Sequence, residues 1–169
     1  MLQGVFYCYK INRNKGSIPF GKRQIEMFGK KKRKVIGYEF AFDLQEKAEK
    51  ICQTLFPHIK LGFFKCFRSS GSASRRTVAR CHGLAKIMQK AIGCPAHYAI
   101  EFISERFDKL SEEEQIKIII HELMHIPLNF GGGFKHHDYV NNKNVEKMYK
   151  NYKKAVEKNK YKTSCKGTP

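Results

Sequence analysis

The sequence predicts an α+β fold in which a small, mostly antiparallel sheet packs on one buried helix, with flanking helices at 43–56 and 141–157. Three observations predict it. Apolar residues recur at helical spacing in both flanking stretches. The stretch from Ser111 is capped like a helix and is apolar on most sides up to Ile126. Between these lie short runs rich in β-branched and aromatic residues at 59–67, 77–82 and 98–103. A chain of 169 residues suffices for one such domain with a real core. The expected division is a basic segment over 1–40, the folded domain over 41–157 and a polar basic tail over 158–169.

In chain order, residues 1–40 carry the run Lys30-Lys31-Lys32-Arg33-Lys34-Val35. It resembles a monopartite nuclear localisation signal, and reads equally as an exposed basic loop or a phosphate-contacting arm. Scattered apolar residues there (Phe6, Tyr7, Tyr9, Ile11, Phe20, Ile25 and Phe28) suggest short hairpin strands. Asp43 and Glu46 fit a capping box that opens the first helix, along which Leu44, Ala48, Ile51, Cys52 and Leu55 recur until Pro57. The strand at 59–67 leads to a loop at Ser69–Ser74, and the strand at 77–82 to a short helix carrying Leu84, Ile87, Met88, Ala91 and Ile92. In the strand 98–103, Tyr98, Ile100 and Phe102 share a face. Ser111 and Glu114 form a second capping box, and the three glutamates of the first turn favour the positive end of the helix dipole. Pro127 closes this helix, and Gly131-Gly132-Gly133 makes a turn. The last helix starts near Asn141 or Asn142 and buries Val145, Met148, Tyr149, Tyr152 and Val156; fraying is expected from Lys158.

Composition excludes several classes. No run of 18 or more apolar residues is present, which argues against a transmembrane helix and a membrane role. The first residues lack the charged and apolar regions of a secretory signal, so a cytoplasmic protein is expected. The six cysteines include no C-x-x-C pair, and free thiols are expected. The net charge of +18 points to nucleic acid as a partner, although a lysine-rich solvated surface explains it as well.

The chemistry concentrates in His121-Glu122-Leu123-Met124-His125, an H-E-x-x-H sequence within the capped helix. Positions i and i+4 of a helix differ by about 40° around its axis, so both imidazoles point to one side and can bind one Zn²⁺. Glu122 lies about 100° from His121 and flanks the metal rather than binding it. From there its carboxylate can take a proton from water and pass it to a leaving amine. Ile116, Ile119, Ile120, Leu123, Met124 and Ile126 cover the remaining arc, so the polar trio needs a partner that a metal supplies. A hydrolytic zinc site takes three protein ligands. The early break at Pro127 and the glycine turn favour a third ligand soon afterwards, with His137 first, His136 second and Glu146, on the next helix, third.

Lesser candidates surround this set. Tyr139 could stabilise a tetrahedral oxyanion, or serve as a core tyrosine. Cys81, His82, Cys94 and His97 could form a second zinc site, although they lack paired C-x-x-C spacing. Arg75, Arg76 and Arg80 could bind phosphate or lie in a solvated loop. His58 has no obvious partner.

The stretch Phe107–Glu114, running into Ile118-Ile119-Ile120-His121-Glu122-Leu123-Met124-His125-Ile126-Pro127, resembles an archaeal and phage family of metallopeptidases related to the SprT-like zinc peptidases. The likeness extends upstream through Ala79–Ile87 and Pro95–Glu101, and downstream through Gly132–His137. The resemblance implies a zincin-like fold and a histidine as third ligand and supplies no substrate of its own; one zinc ion and a polypeptide substrate are what the H-E-x-x-H site leads us to expect. Two positions depart from the family pattern: Asp138 replaces a usual glycine, and His136 stands where proline is expected. In zincins a sheet edge beside the metal pairs with extended substrate, and the strand bearing Tyr98, Ile100 and Phe102 is the candidate for it. Two rival readings are a basic nucleic-acid-binding protein with a structural or vestigial zinc site, and a zinc hydrolase acting on a non-peptide bond.

Overall fold

The computed structural model describes residues 35–74 and 76–164, with side chains as far as Lys158. The expectations for the basic segment up to Lys34, and for Arg75, fall outside the described residues. The chain runs β1 (Gly37–Phe40), α1 (Phe42–Leu55), a 3₁₀ turn (Leu61–Phe63), β2 (Phe64–Ser70), β3 (Ala79–Gly83), α2 (Lys86–Ile92), β4 (Tyr98–Ile103), α3 (Ser104–Phe107), α4 (Glu112–Met124) and α5 (Asn142–Ser164). The result is α+β with one four-stranded mixed sheet in the order β1-β2-β4-β3. The pairs β1–β2 and β3–β4 are antiparallel and β2–β4 is parallel.

That order corrects one expectation. The strand carrying Tyr98, Ile100 and Phe102 is not a sheet edge; it lies between β2 and β3. The chain leaves β2, lays β3 down on the outside, turns through α2 and returns to fill the gap. All three side chains are buried in the core rather than open to a ligand.

Period-two alternation places Phe64, Cys66, Tyr98, Ile100 and Phe102 on one face of the sheet, where the helices cover them. Onto this face α1 packs Leu44, Ala48, Ile51 and Cys52, and α4 packs Ile119, Ile120, Leu123 and Met124. Val145 and Tyr149 of α5 close the layer. Each fully buried Ile, Leu or Phe contributes about 1.5–3 kcal/mol, so this layer fixes the orientation of α4.

Gln45 joins α1 to β2. Its amide donates to the Phe64 carbonyl at 3.3 Å and accepts the Cys66 N–H at 2.8 Å. It thus supplies the ladder bonds that the short β1 does not reach. The box expected from Asp43 and Glu46 does not form: α1 is capped by Ala41 without a side-chain bond. Arg68 of β2 takes both Asp43 oxygens in a forked pair at 2.6 and 2.8 Å, and Glu46 turns to Lys50 at 2.8 Å. A bidentate guanidinium pair outcompetes a single capping bond.

Other boundaries shift as well. The strand expected at 59–67 starts at Phe64, after the 3₁₀ turn, and continues to Ser70. The helix α2 forms, yet Ile87, Met88 and Ile92 are exposed. The last helix runs on to Ser164, past the expected fraying point. Cys52, Cys66, Cys81 and Cys94 are free thiols, whereas Cys8 and Cys165 lie outside the described residues. Among the described residues no helix is long and apolar enough to cross a membrane.

Candidate metal centre

The helix α4 starts where the sequence places it. Ser111 Oγ accepts the Glu114 N–H at 3.3 Å, and the Glu114 carboxylate accepts the Ser111 N–H at 3.0 Å. Its apolar face locks into the core, which leaves His121, Glu122 and His125 on the side toward β3. The helix proper ends at Met124, and His125 continues its path as C-cap with φ −66° and ψ −23°. The i,i+4 geometry therefore survives, and the two Nε2 atoms stand 3.3 Å apart. Two nitrogens bound to one tetrahedral zinc at about 2.0–2.1 Å are separated by about 3.3–3.4 Å, so the pair fits a shared ion.

The rest of the centre supports that fit. The His125 Nδ1–H donates to the Lys135 carbonyl at 2.8 Å, which fixes the ring and leaves the Nε2 lone pair free for a cation. The Lys135 N–H in turn donates to the His125 carbonyl at 2.8 Å. Two residues later the returning chain delivers His137. One ligand atom from each of His121, His125 and His137 lies within 4.8 Å of the others, and the three could together hold a metal ion. Burial, reinforced by repulsion from His125 and His137, lowers the His121 pKa to about 4. Burial lowers His125 as well. Both imidazoles are thus neutral donors at pH 7.

The profile of one protein family, described as a putative phage metallopeptidase, matches residues 36–160. The chain belongs to that family. No curated protein and no solved structure matches it. Membership in a phage metallopeptidase family points to a hydrolase that uses a bound metal ion on a polypeptide substrate.

In this family member Glu122 is 7% exposed, and burial pushes its carboxyl up to about 7. The backbone N–H of Cys81 on β3 donates to it and partly offsets that rise. The carboxylate and the three histidines open onto a groove of about 600 Å³. One wall is β3, from Ala79 to His82, and the other runs from Phe134 to His137. Among the described residues the free edge beside the centre is therefore β3, and not the strand 98–103.

The alternatives fall elsewhere. His136 lines the groove, but its ring does not join the triad; its carbonyl accepts the Tyr139 and Val140 N–H groups at 3.1 Å each. Glu146 is engaged by Lys117 at 2.8 Å. Tyr139 is half exposed in a separate groove with Lys135 Nζ 4.6 Å from its ring centroid, so it neither faces the centre nor sits in the core. The second zinc site does not assemble among the described residues. His82 bonds to Glu101 at 2.9 Å and His97 to the Pro95 carbonyl at 2.9 Å, while burial pushes the Cys81 thiol up. Arg80 pairs with Glu101 rather than standing free for phosphate. His58 faces the Ile126 carbonyl at 3.4 Å.

Sequence reasoning passed over Glu101, which is 3% exposed on the far face of β4. It accepts hydrogen bonds from Ser69 at 2.6 Å, His82 at 2.9 Å and Arg80 at 3.3 Å, and so ties the edge strand β3 to β4 behind the groove. The signal was a lone charge within the apolar run Tyr98–Ile103. Burial pushes its carboxyl up, but the bonds from Ser69, His82 and Arg80 together outweigh that and hold it below the usual value. A lowered acid pKa stabilises the fold at neutral pH, and the contribution disappears as pH falls through the folded value. Glu101→Gln should cost about 1.5–3 kcal/mol at pH 7, the worth of a charged hydrogen bond. In urea melts across an acid series the gap from the native protein should narrow below about pH 4.3, the ordinary glutamate value. A gap independent of pH contradicts this account of the cluster.

Proposed function

We propose that this chain is a zinc-dependent endopeptidase with a zincin-like fold, related to the SprT-like peptidases, in which His121, His125 and His137 hold one zinc ion and Glu122 is the general base. One observation carries the reading: three ring nitrogens converge beside a buried carboxylate at an open groove. Three imidazole ligands suit zinc better than calcium or magnesium, which prefer oxygen ligands. A structural zinc site is closed by four ligands, whereas three ligands at a groove leave room for substrate and water. This disfavours the structural-zinc reading.

A divalent ion bound there polarises a substrate carbonyl and lowers the pKa of water. The remaining steps belong to the chain. Burial raises the Glu122 carboxyl above its ordinary value, toward the range that favours proton transfer near neutral pH. Glu122 takes the proton of the attacking water, holds it while the Cys81 N–H orients its carboxylate, and returns it to the departing amine. The free edge of β3 offers backbone groups for an extended peptide, which gives binding with modest side-chain preference. The +18 charge makes nucleic acid a natural neighbour for the whole chain, and oligonucleotide binding with a steep salt dependence is the expected sign of it.

The test is hydrolysis of an unfolded protein such as casein. Cleavage should stop on chelation and return with stoichiometric zinc. Cleavage that survives chelation contradicts the proposal, and cleavage of a non-peptide ester alone would favour a different hydrolase.

A further inference from the structure

We infer that Tyr98 is a positioning residue for the third metal ligand: its hydroxyl pins the turn at Gly132 and Gly133, and so fixes where His137 stands. The inference rests on the metal-centre reading above.

His121 and His125 come from one rigid helical turn. His137 comes from the loop beyond Pro127 and is exposed, so its place depends on whatever holds that loop. The loop contains two left-handed residues, Phe130 at φ 44° and Gly132 at φ 85°. The Tyr98 ring is 3% exposed and packs against the loop's two aromatic rings, 5.0 Å from that of Phe130 and 6.1 Å from that of Phe134. Its hydroxyl reaches the tip between them. It accepts the Gly132 N–H at 2.8 Å and donates to the Gly133 carbonyl at 3.0 Å, using the phenol both ways. Burial, more than the opposing Gly132 bond, raises the phenol pKa, so the hydroxyl keeps the proton it donates.

The turn is seated from the other side as well. Gln89 of α2 donates to the Gly131 carbonyl at 3.2 Å and to the Leu84 carbonyl at 2.7 Å. A Cβ on Gly132 would collide with the Leu84 carbonyl and the Gln89 amide. A Cβ on Gly83 would lie 2.9 Å from the Gly132 carbonyl. The backbone of the turn therefore rests directly on the β3–α2 connection. From this seat the chain makes one more fixed contact, the paired bonds between Lys135 and His125, before it reaches His137. Apolar packing alone would be served by phenylalanine at position 98. A hydroxyl buried this deeply costs free energy unless it is used, and here its use is to hold the ligand loop.

The test is a double-mutant cycle on metal affinity, measured by competition of Zn²⁺ or Co²⁺ against a chromophoric chelator. Tyr98→Phe keeps the ring and should weaken binding about 3–10-fold, the scale set by losing one or two net hydrogen bonds that hold the loop rather than a ligand itself. His137→Ala should weaken it further. In the His137→Ala background Tyr98→Phe should add almost nothing, because the clamp then has no ligand to position. The Co²⁺ visible spectrum should change in Tyr98→Phe and be insensitive to it once His137 is gone. Native affinity in Tyr98→Phe overturns the inference, and so does an equal loss in both backgrounds, which marks a general loosening of the fold. If the native chain binds neither ion, the metal-centre reading itself fails and takes the clamp with it.

Discussion

Glu122→Gln should lower peptide hydrolysis by about 10²–10⁴-fold, the usual worth of a positioned acid–base group, while zinc content stays unchanged. Glutamine keeps the shape of the side chain and can still accept the Cys81 N–H through its amide oxygen, so the wall of the groove is preserved. What it cannot do is take a proton from water. The three histidines do not depend on the carboxylate: His125 is oriented by the Lys135 carbonyl, and His121 shares its helical turn. Turnover and metal content should therefore separate. Elemental analysis and a casein assay on the same preparation make the comparison. A variant that keeps most of its activity removes Glu122 from the mechanism, and one that loses its zinc assigns Glu122 to the metal instead.

The second large effect is loss of metal on truncating a ligand. Removal of an outer-shell partner costs about 10–100-fold in affinity, so His121→Ala, His125→Ala and His137→Ala should each cost more than about 100-fold. His136→Ala and Glu146→Ala are the controls. The His136 ring does not join the triad, and the Glu146 carboxylate is held by Lys117. Both should bind zinc within a few-fold of the native chain. Chelator titration of the five variants ranks them. If His136→Ala falls with His121→Ala and His125→Ala while His137→Ala does not, the third ligand has been misassigned.

The legible parts of this site are local ones. The spacing of His121 and His125 acts within one turn of helix, and the Ser111–Glu114 box needs only the four residues it contains. Nothing distant competes for them. The Asp43–Glu46 box looked equally sound, but Arg68 reaches across 25 residues of sequence to claim Asp43. Glu146 had a reasonable ligand spacing, and it is Lys117, on the same helix as the histidines, that holds it. Strand order is non-local in the same sense. The residues of β4 specify a strand, but not that the earlier β3 would take the edge. Glu101 could have shown this, since a carboxylate in a run buried on both faces requires partners on a neighbouring strand. Tyr98 was legible as one of three residues sharing a strand face, whereas its burial and its bonds to the Gly132–Gly133 turn arise only from the packed sheet and the returning chain.

The central claim is tested most directly by a crystal of the zinc-loaded chain measured on both sides of the zinc absorption edge. The account predicts one anomalous peak per chain, about 2.0–2.1 Å from Nε2 of His121 and His125 and from a ring nitrogen of His137, with the Glu122 carboxylate outside the coordination shell. Absence of a peak there, or a peak held by His136 or Glu146 in place of His137, contradicts it.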